Sequence, residues 1–160
     1  MPILVTGNRG YIGMVLTKTL LEKGYEVVGF DIGYYKGCEL KYPGFKIKEI
    51  NKDVRNASKE DFEGIDAIIH LAALSNDPLG EFDPRLTEEI NYRATVKVAS
   101  LSKEAGVKRF IYSSSQSMYG VSNSDEELDE DNSTKNPITA YAKTKWQAEC
   151  DLKQLNSEDF

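Results

Sequence analysis

The 160-residue chain has one histidine, two cysteines and one tryptophan, and each scarcity closes off a class of function. His70 stands alone, and Cys38 and Cys150 lie far apart outside any CxxC pattern, so no zinc site is expected. The two cysteines are expected as free thiols in a reducing compartment. Positive charge is also short: 20 Lys and Arg against 26 Asp and Glu give a formal net charge of −6, with the basic residues scattered. A nucleic-acid partner therefore has no electrostatic footprint. No apolar run approaches the ~20 residues that span a bilayer, so no membrane partner is expected. The start, Met1-Pro2-Ile3-Leu4-Val5, lacks the basic segment of a signal peptide, and a cytoplasmic location is expected. No repeat is evident, and the length suits one domain rather than two.

What the chain does contain is glycine in a telling place. Thr6-Gly7-Asn8-Arg9-Gly10-Tyr11-Ile12-Gly13 follows the apolar run Ile3-Leu4-Val5 and opens an amphipathic segment. A strand, a glycine turn and a helix N-terminus in that order form an anion cradle of backbone N–H groups. Gly7 allows the sharp turn, Gly10 the close approach of a pyrophosphate, and Gly13 tight packing of helix and strand. The spacing is G-x-x-G-x-x-G rather than G-x-G-x-x-G, and a turn without a ligand is the rival reading. A second apolar run, Glu26-Val27-Val28-Gly29-Phe30, ends at Asp31. A carboxylate there can accept hydrogen bonds from both hydroxyls of an adenosine ribose and repels a 2′-phosphate, which favours NAD over NADP. Arg9 and Lys36, placed near that ribose, would soften the preference.

Strand and helix alternate through the rest. Residues 45–50 alternate with period two, as in a more exposed strand, and Ala67-Ile68-Ile69-His70-Leu71-Ala72 reads as a buried parallel strand. Pro84 to Ala105 predicts a long helix with Leu86, Ile90, Ala94, Val98 and Leu101 on its core face. Arg109-Phe110-Ile111-Tyr112-Ser113 is the next strand, and Pro137 is placed in the first turn of a last helix ending near Leu155. The pattern predicts a Rossmann-type α/β fold, a doubly wound parallel sheet. The acidic run from Asp125 to Asp131 lacks the ligand spacing of a calcium loop and reads as a solvated loop.

Tyr141 and Lys145 lie four residues apart, on one face of that last helix. An ammonium beside a phenol favours the phenolate, the form needed in a general base. Ser113-Ser114-Ser115 places hydroxyls at a strand C-terminus, where open α/β sheets bind ligands. An ordinary helical pair and an ordinary strand-to-loop transition are the plainer readings of each feature alone.

Taken together, the glycine motif, Asp31, Asp53-Val54, His70-Leu71-Ala72-Ala73, Asn91, Tyr112-Ser113-Ser114-Ser115 with Tyr119-Gly120, and Tyr141-x-x-x-Lys145 resemble the extended short-chain dehydrogenase/reductase family, particularly its nucleotide-sugar epimerase branch. The resemblance implies that Gly7, Gly10, Tyr11, Ile12 and Gly13 hold the NAD pyrophosphate, that Asp31 holds the ribose, and that Asp53 and Val54 contact the adenine. Leu71, Ala72, Ala73 and Ser75, with Ser113, would line the pyrophosphate and nicotinamide ribose, and Asn91 would support the cofactor. It implies a catalytic triad: Tyr141 removes a proton from a sugar hydroxyl, Lys145 tunes Tyr141 and holds the ribose, and Ser115 hydrogen-bonds the reacting oxygen. Hydride passes to tightly held NAD and returns to the opposite face of the keto sugar.

Two departures refine this. Dehydratases of the family carry an Asp-Glu pair after the catalytic Ser/Thr, where this chain has Gln116 and Ser117; a decarboxylase-like glutamate is also missing at Ser117. An NAD-dependent epimerase of a UDP- or GDP-sugar is therefore expected. The alternatives are an NAD(P)-dependent sugar-nucleotide reductase or dehydrogenase and, from another class, a non-catalytic NAD(P)-sensing module. The second departure is length: the family forms its sugar-nucleotide pocket from a C-terminal lobe. Residues 1–160 are expected to be an incomplete NAD-binding domain, ending before the last strands and with little turnover alone. Tyr92, Val96, Ala99 and Lys103, with Trp146 and Cys150, lie off the two helices' core faces. With the resemblance to four-helix-bundle dimers, they predict a homodimer through residues 84–105 and 137–155.

Overall fold

Ile3, Leu4 and Val5 are consecutive and all buried, so the first strand, β1 (Pro2–Thr6), is covered on both faces. In the computed structural model, which describes residues 1–38, 46–121 and 127–160, β1 is the centre of a five-stranded sheet. All neighbours are parallel, in the order β3-β2-β1-β4-β5, with β2 at Glu26–Asp31, β3 at Lys48–Asn51, β4 at Ala67–His70 and β5 at Arg109–Tyr112. The chain steps outward from β1 through β2 to β3, then returns to the other side of β1 for β4 and β5. Connections leave β1 and β4 in opposite directions, which opens a crevice at the strand C-termini between them.

Alternation along the strands sorts the core into two layers. Ile3, Val5, Val27 and Ala67 pack with Leu20 of helix α1 (Tyr11–Glu22) on one face. Leu4, Val28, Phe30 and Ile68 pack on the other with Phe62 and with Ala94 and Val98 of a longer helix. Helix α3 is a continuous helical run over residues 84–104. Its Pro84–Thr87 and Thr95–Glu104 segments are α-helical, with a π-helical stretch, Glu88–Ala94, between them. The doubly wound α/β arrangement expected from the sequence is the one found.

Several expectations need correction. The exposed strand begins only at Lys48; Phe45 lies outside the described residues. The last helix, α4 (Ala140–Leu155), starts three residues after Pro137, because the Thr139 hydroxyl caps it by accepting the Ala142 N–H at 3.1 Å. A short helix not anticipated, α2 (Asp77–Phe82), is capped by the Asn76 side chain with proline in its first turn.

The core stripe of α3 is found at Ile90, Ala94, Val98 and Leu101, but the helix buries a second, small and polar face as well: Thr87, Asn91, Thr95, Ala99 and Ser102. Ala99, expected to face outward, falls on that second face and is fully buried. Tyr92 and Lys103 reach across to α4, where the Tyr92 hydroxyl donates to Asp151 at 2.7 Å and Lys103 Nζ donates to the Leu155 carbonyl at 2.5 Å. Trp146, expected as an exposed aromatic, is half-buried beneath the Lys135 and Lys153 ammonium groups, each 5.7 Å from its ring centre. Within the acidic run, residues 127–131 are exposed and Asp129 makes a local turn by accepting the Asp131 and Asn132 N–H groups. Among the described residues no helix is long and apolar enough to cross a membrane.

Candidate active site

The turn after β1 is closed in a way only glycine permits. Gly7 has φ +70°, and a Cβ there would stand 2.9 Å from the Ala72 nitrogen. A Cβ at Gly13 would collide with the Gly7 carbonyl and stand 2.7 Å from Asn8 Cα, so this glycine lets α1 pack against its own entry loop. Gly10 is the N-cap of α1 and offers no side-chain cap. The first N–H groups of α1 are thus left without a side-chain partner at the crevice, beside exposed Tyr11 and Ile12. An uncapped helix start fronted by small residues fits a pyrophosphate.

Asp31 ends β2 beside this cradle. Its carboxylate accepts the Gly33 N–H at 2.6 Å and the Arg9 N–H at 3.1 Å, which fixes its orientation and leaves further lone pairs for a ribose. The Asp53 carboxylate is engaged within its own turn. It caps a short 3-10 turn by accepting the Arg55 N–H and pairs with the Arg55 guanidinium at 2.7 Å. That guanidinium holds the Asp53 carboxyl below the usual range. Val54 is buried in the core layer that holds Phe30 and Phe62. Asp53 keeps its place just beyond β3, at the same end of the sheet as Asp31.

Across the crevice, the segment 71–75 is held by a continuous chain of hydrogen bonds. The Leu71 and Ala72 N–H groups donate to Thr6 Oγ1 at 3.1 and 3.2 Å. Thr6 Oγ1 also lies 2.9 Å from His70 Nδ1, and His70 Nε2 lies 3.0 Å from Thr95 Oγ1. The Thr95 hydroxyl spends its one proton on the Asn91 carbonyl at 2.9 Å. Thr95 must therefore accept from Nε2–H, which leaves Nδ1 to accept from Thr6. Asn91 completes the chain: its amide donates to the Leu74 carbonyl at 3.0 Å and accepts the Leu74 N–H at 2.8 Å. Both ends of the Asn91 side chain are thus engaged by the loop, and its support of the site runs through Leu74. Ala73 is half-buried and Ser75 exposed along the same segment.

Lys145 is buried in α4, with Nζ donating to the Ser113 carbonyl at 2.8 Å. The ammonium sits 4.8 Å from the Tyr112 ring centre and 5.9 Å from that of Tyr141. Burial lowers its pKa to about 8, so the charge beside Tyr141 persists at neutral pH. The three serines divide their tasks. Ser113 holds Lys145 through its carbonyl, Ser114 donates to Glu149 at 2.6 Å, and Ser115 Oγ accepts the Ser117 N–H at 3.2 Å, keeping its own proton to donate. The buried Tyr112 hydroxyl has no hydrogen-bond partner among the described groups, and burial pushes its pKa up.

Two anchors that the sequence reading missed set the start of α4. The Thr139 hydroxyl bonds Asp77 and the Ala140 N–H bonds Glu81, so α2 straps the turn that carries Tyr141. Gly80 permits this approach, since a Cβ there would lie 3.1 Å from Tyr141 Cβ. The signal available was Asn76-Asp77-Pro78, a cap followed by proline.

Comparison with known proteins extends the geometry. The sequence model of the NAD dependent epimerase/dehydratase family matches residues 3–159. UDP-glucuronate 4-epimerase of Thermodesulfobacterium geofontis is 32% identical over 158 residues, covering 91% of this chain and 48% of that protein. The solved structure of MoeE5 in complex with UDP-glucose and NAD superposes with a TM-score of 0.80 at 30% identity, over 94% of this chain and 48% of the other. UDP-N-acetylglucosamine 4-epimerase from Methanobrevibacter ruminantium, in complex with UDP-N-acetylmuramic acid, gives 0.86 at 26% identity, over 96% of this chain and 50% of the other. The chain thus spans about half the length of these relatives.

His70 supplies a test of the buried chain. Complete burial, then the Lys145 charge, lowers its pKa to about 3, against 6.5 in the unfolded chain. Between these values only the unfolded state takes up the proton, so acidification destabilises the fold. Urea unfolding should lose roughly 1 kcal/mol between pH 6 and pH 5 beyond the loss in His70→Gln. Equal pH dependence in the two proteins would contradict a neutral, buried His70.

Proposed function

The chain belongs to the NAD dependent epimerase/dehydratase family, and from that premise we propose that it carries the cofactor-binding and catalytic groups of a nucleotide-sugar epimerase. The observation that carries the reading is the buried Lys145 ammonium, tied to the C-terminal end of β5 and facing the Tyr141 ring, on the same sheet edge as an uncapped glycine cradle. Residues 7–13, Asp31 and residues 71–75 would hold NAD, which would supply a reversible hydride acceptor for a sugar carbon. Tyr141 takes the proton of the sugar hydroxyl and later restores it. Lys145 places positive charge beside that phenol, and Ser115 donates its free hydroxyl proton to the reacting oxygen.

Gln116 and Ser117, in the 3-10 turn after Ser115, carry no carboxylate, which supports epimerisation over elimination of water. Asp31 supports NAD over NADP. The UDP-sugars bound by the related structures support a UDP-sugar substrate. The chain's share of its relatives' length supports assigning it the cofactor half of the reaction. Free Cys38 and Cys150 fit a cytoplasmic setting.

We also infer a two-fold homodimer through residues 84–105 and 137–155. With Tyr92 and Lys103 engaged by α4 and Ala99 buried, the surface offered by these helices centres on Val96, Trp146 and Cys150, all half-exposed.

Two measurements test these readings. Calorimetry should give NAD binding that survives Tyr141→Phe within about twofold, while conversion of UDP-glucose to its 4-epimer falls about 10³-fold. Conversion untouched by Tyr141→Phe would remove the phenol from the mechanism, and NADH accumulating with product would indicate a dehydrogenase. Light scattering should report a dimer at micromolar concentration and a monomer for Val96→Glu with Trp146→Glu. A wild-type monomer, or a dimer in the double variant, would overturn that interface.

A further inference from the structure

Lys145 is 4% exposed, yet among the described residues its ammonium makes a single hydrogen bond, to the Ser113 carbonyl at 2.8 Å. An ammonium carries three N–H groups, and burying one so sparsely paired is costly unless something else faces the charge. What faces it is aromatic. Nζ stands 4.8 Å from the ring centre of Tyr112, on β5, and 5.9 Å from that of Tyr141, on its own helix. Tyr141 carries the phenol assigned to proton transfer; the nearer ring, Tyr112, has no part in that chemistry.

The sheet fixes the Tyr112 ring in place. Tyr112 pairs in register with His70 on β4, and their rings stack 6.3 Å apart at 24°. His70 also stacks on Phe110, two residues earlier on the same face of β5, with 5.7 Å between ring centres. His70 stays neutral, so this ladder of rings sets no second cation against Lys145. The Tyr112 hydroxyl is buried without a partner, and burial pushes its pKa up, so the side chain stays a neutral phenol. The face of a neutral ring attracts a cation, most strongly where water is excluded.

The other charged and titratable groups around α4 are engaged elsewhere. Glu149 accepts from Ser114 and pairs with Lys153 at 3.0 Å. On α3, Tyr92 bonds Asp151 and Lys103 bonds the Leu155 carbonyl. On α2, Asp77 and Glu81 bond Thr139 and the Ala140 N–H. Tyr119, in the turn after Ser115, lies beneath the Lys135 ammonium at 5.2 Å.

We propose that Tyr112 is a positioning residue: the face of its ring, not its hydroxyl, holds the Lys145 ammonium in place as a cation beside Tyr141. The proposal rests on the epimerase reading and deepens it, but the contact between ring and ammonium is measurable without substrate or cofactor. Burial already lowers the Lys145 pKa to about 8, which leaves little margin at neutral pH. Loss of the ring's attraction favours the neutral amine and lowers that pKa further. Because the cation is the working form, the high-pH limb of activity moves down with it.

NMR titration of the protein with isotope-labelled lysine reads the contact directly, the Lys145 signal being the one absent from Lys145→Met. Tyr112→Phe should keep the Lys145 pKa within about 0.3 of wild type, and Tyr112→Leu should lower it by about one pH unit. Since Tyr112→Leu also removes packing, Tyr112→Phe made with increasingly fluorinated phenylalanine keeps the ring's shape while draining its face of electron density. The Lys145 pKa should then fall stepwise. No change along the fluorinated series, or a fall in plain Tyr112→Phe as large as in Tyr112→Leu, would overturn the inference. With UDP-glucose as substrate, the high-pH limb of kcat/KM should move down by about one pH unit in Tyr112→Leu. A limb that stays in place while Lys145 follows the ring would overturn the link to Tyr141. A wild type that never converts UDP-glucose, with Lys145 still following the ring, would overturn the epimerase reading and uphold the contact.

Discussion

The Thr6 hydroxyl accepts the Leu71 and Ala72 N–H groups and gives its own proton to His70, joining the ends of β1 and β4 where the chain reverses its course across the sheet. Parallel strands that part at a switch point leave backbone groups facing a crevice, and a crevice meant for a ligand cannot be filled with side chains. The ends must then be held from behind. The Thr6–His70–Thr95–Asn91 chain does this from within the core, reaching Leu74 without placing a side chain in the opening. Every hydroxyl and ring nitrogen in it is satisfied in one direction of donation only. A proton added to His70 Nδ1 would oppose the Thr6 hydroxyl, so the arrangement depends on a neutral imidazole in one tautomer.

The same logic of support from behind governs the side of the crevice that carries Tyr141 and Lys145. Lys145 is buried against the Ser113 carbonyl, and the turn that carries Tyr141 is strapped to α2 through Asp77 and Glu81. Helix α3 lies behind both halves. Its apolar stripe covers the sheet, while its second face presents Asn91 and Thr95 to the loop chain and Thr87 to the Gly80 carbonyl at 2.7 Å. A single helix thereby couples the cradle, the loop 71–75 and the base of α4. The π-helical stretch falls at Glu88–Ala94, within the segment that carries Asn91.

Much of this was legible in the sequence, for reasons that differ by residue. Gly7 and Gly13 could be read because turn and packing constraints leave no other residue possible, and Asp31 because it closes an apolar run. Tyr141 and Lys145 could be read because helical spacing alone stacks them. What escaped were contacts between elements distant in sequence. Nothing local marks Ala99 as buried, since its face is covered only when α4 folds alongside. Arg55 draws Asp53 into an ion pair that no strand pattern announces. Gly80 reads as an ordinary helix glycine until Tyr141 is set against it.

We infer that the crevice between β1 and β4 is a dinucleotide site prepared before the ligand arrives. Amide chemical-shift mapping during NAD titration tests it most directly. The amides of residues 7–13, 31–33 and 71–75 should shift together along one binding curve, while those of the α3 core face stay in place. Absence of shifts in the glycine loop at saturating NAD, or shifts centred on another surface, would contradict it.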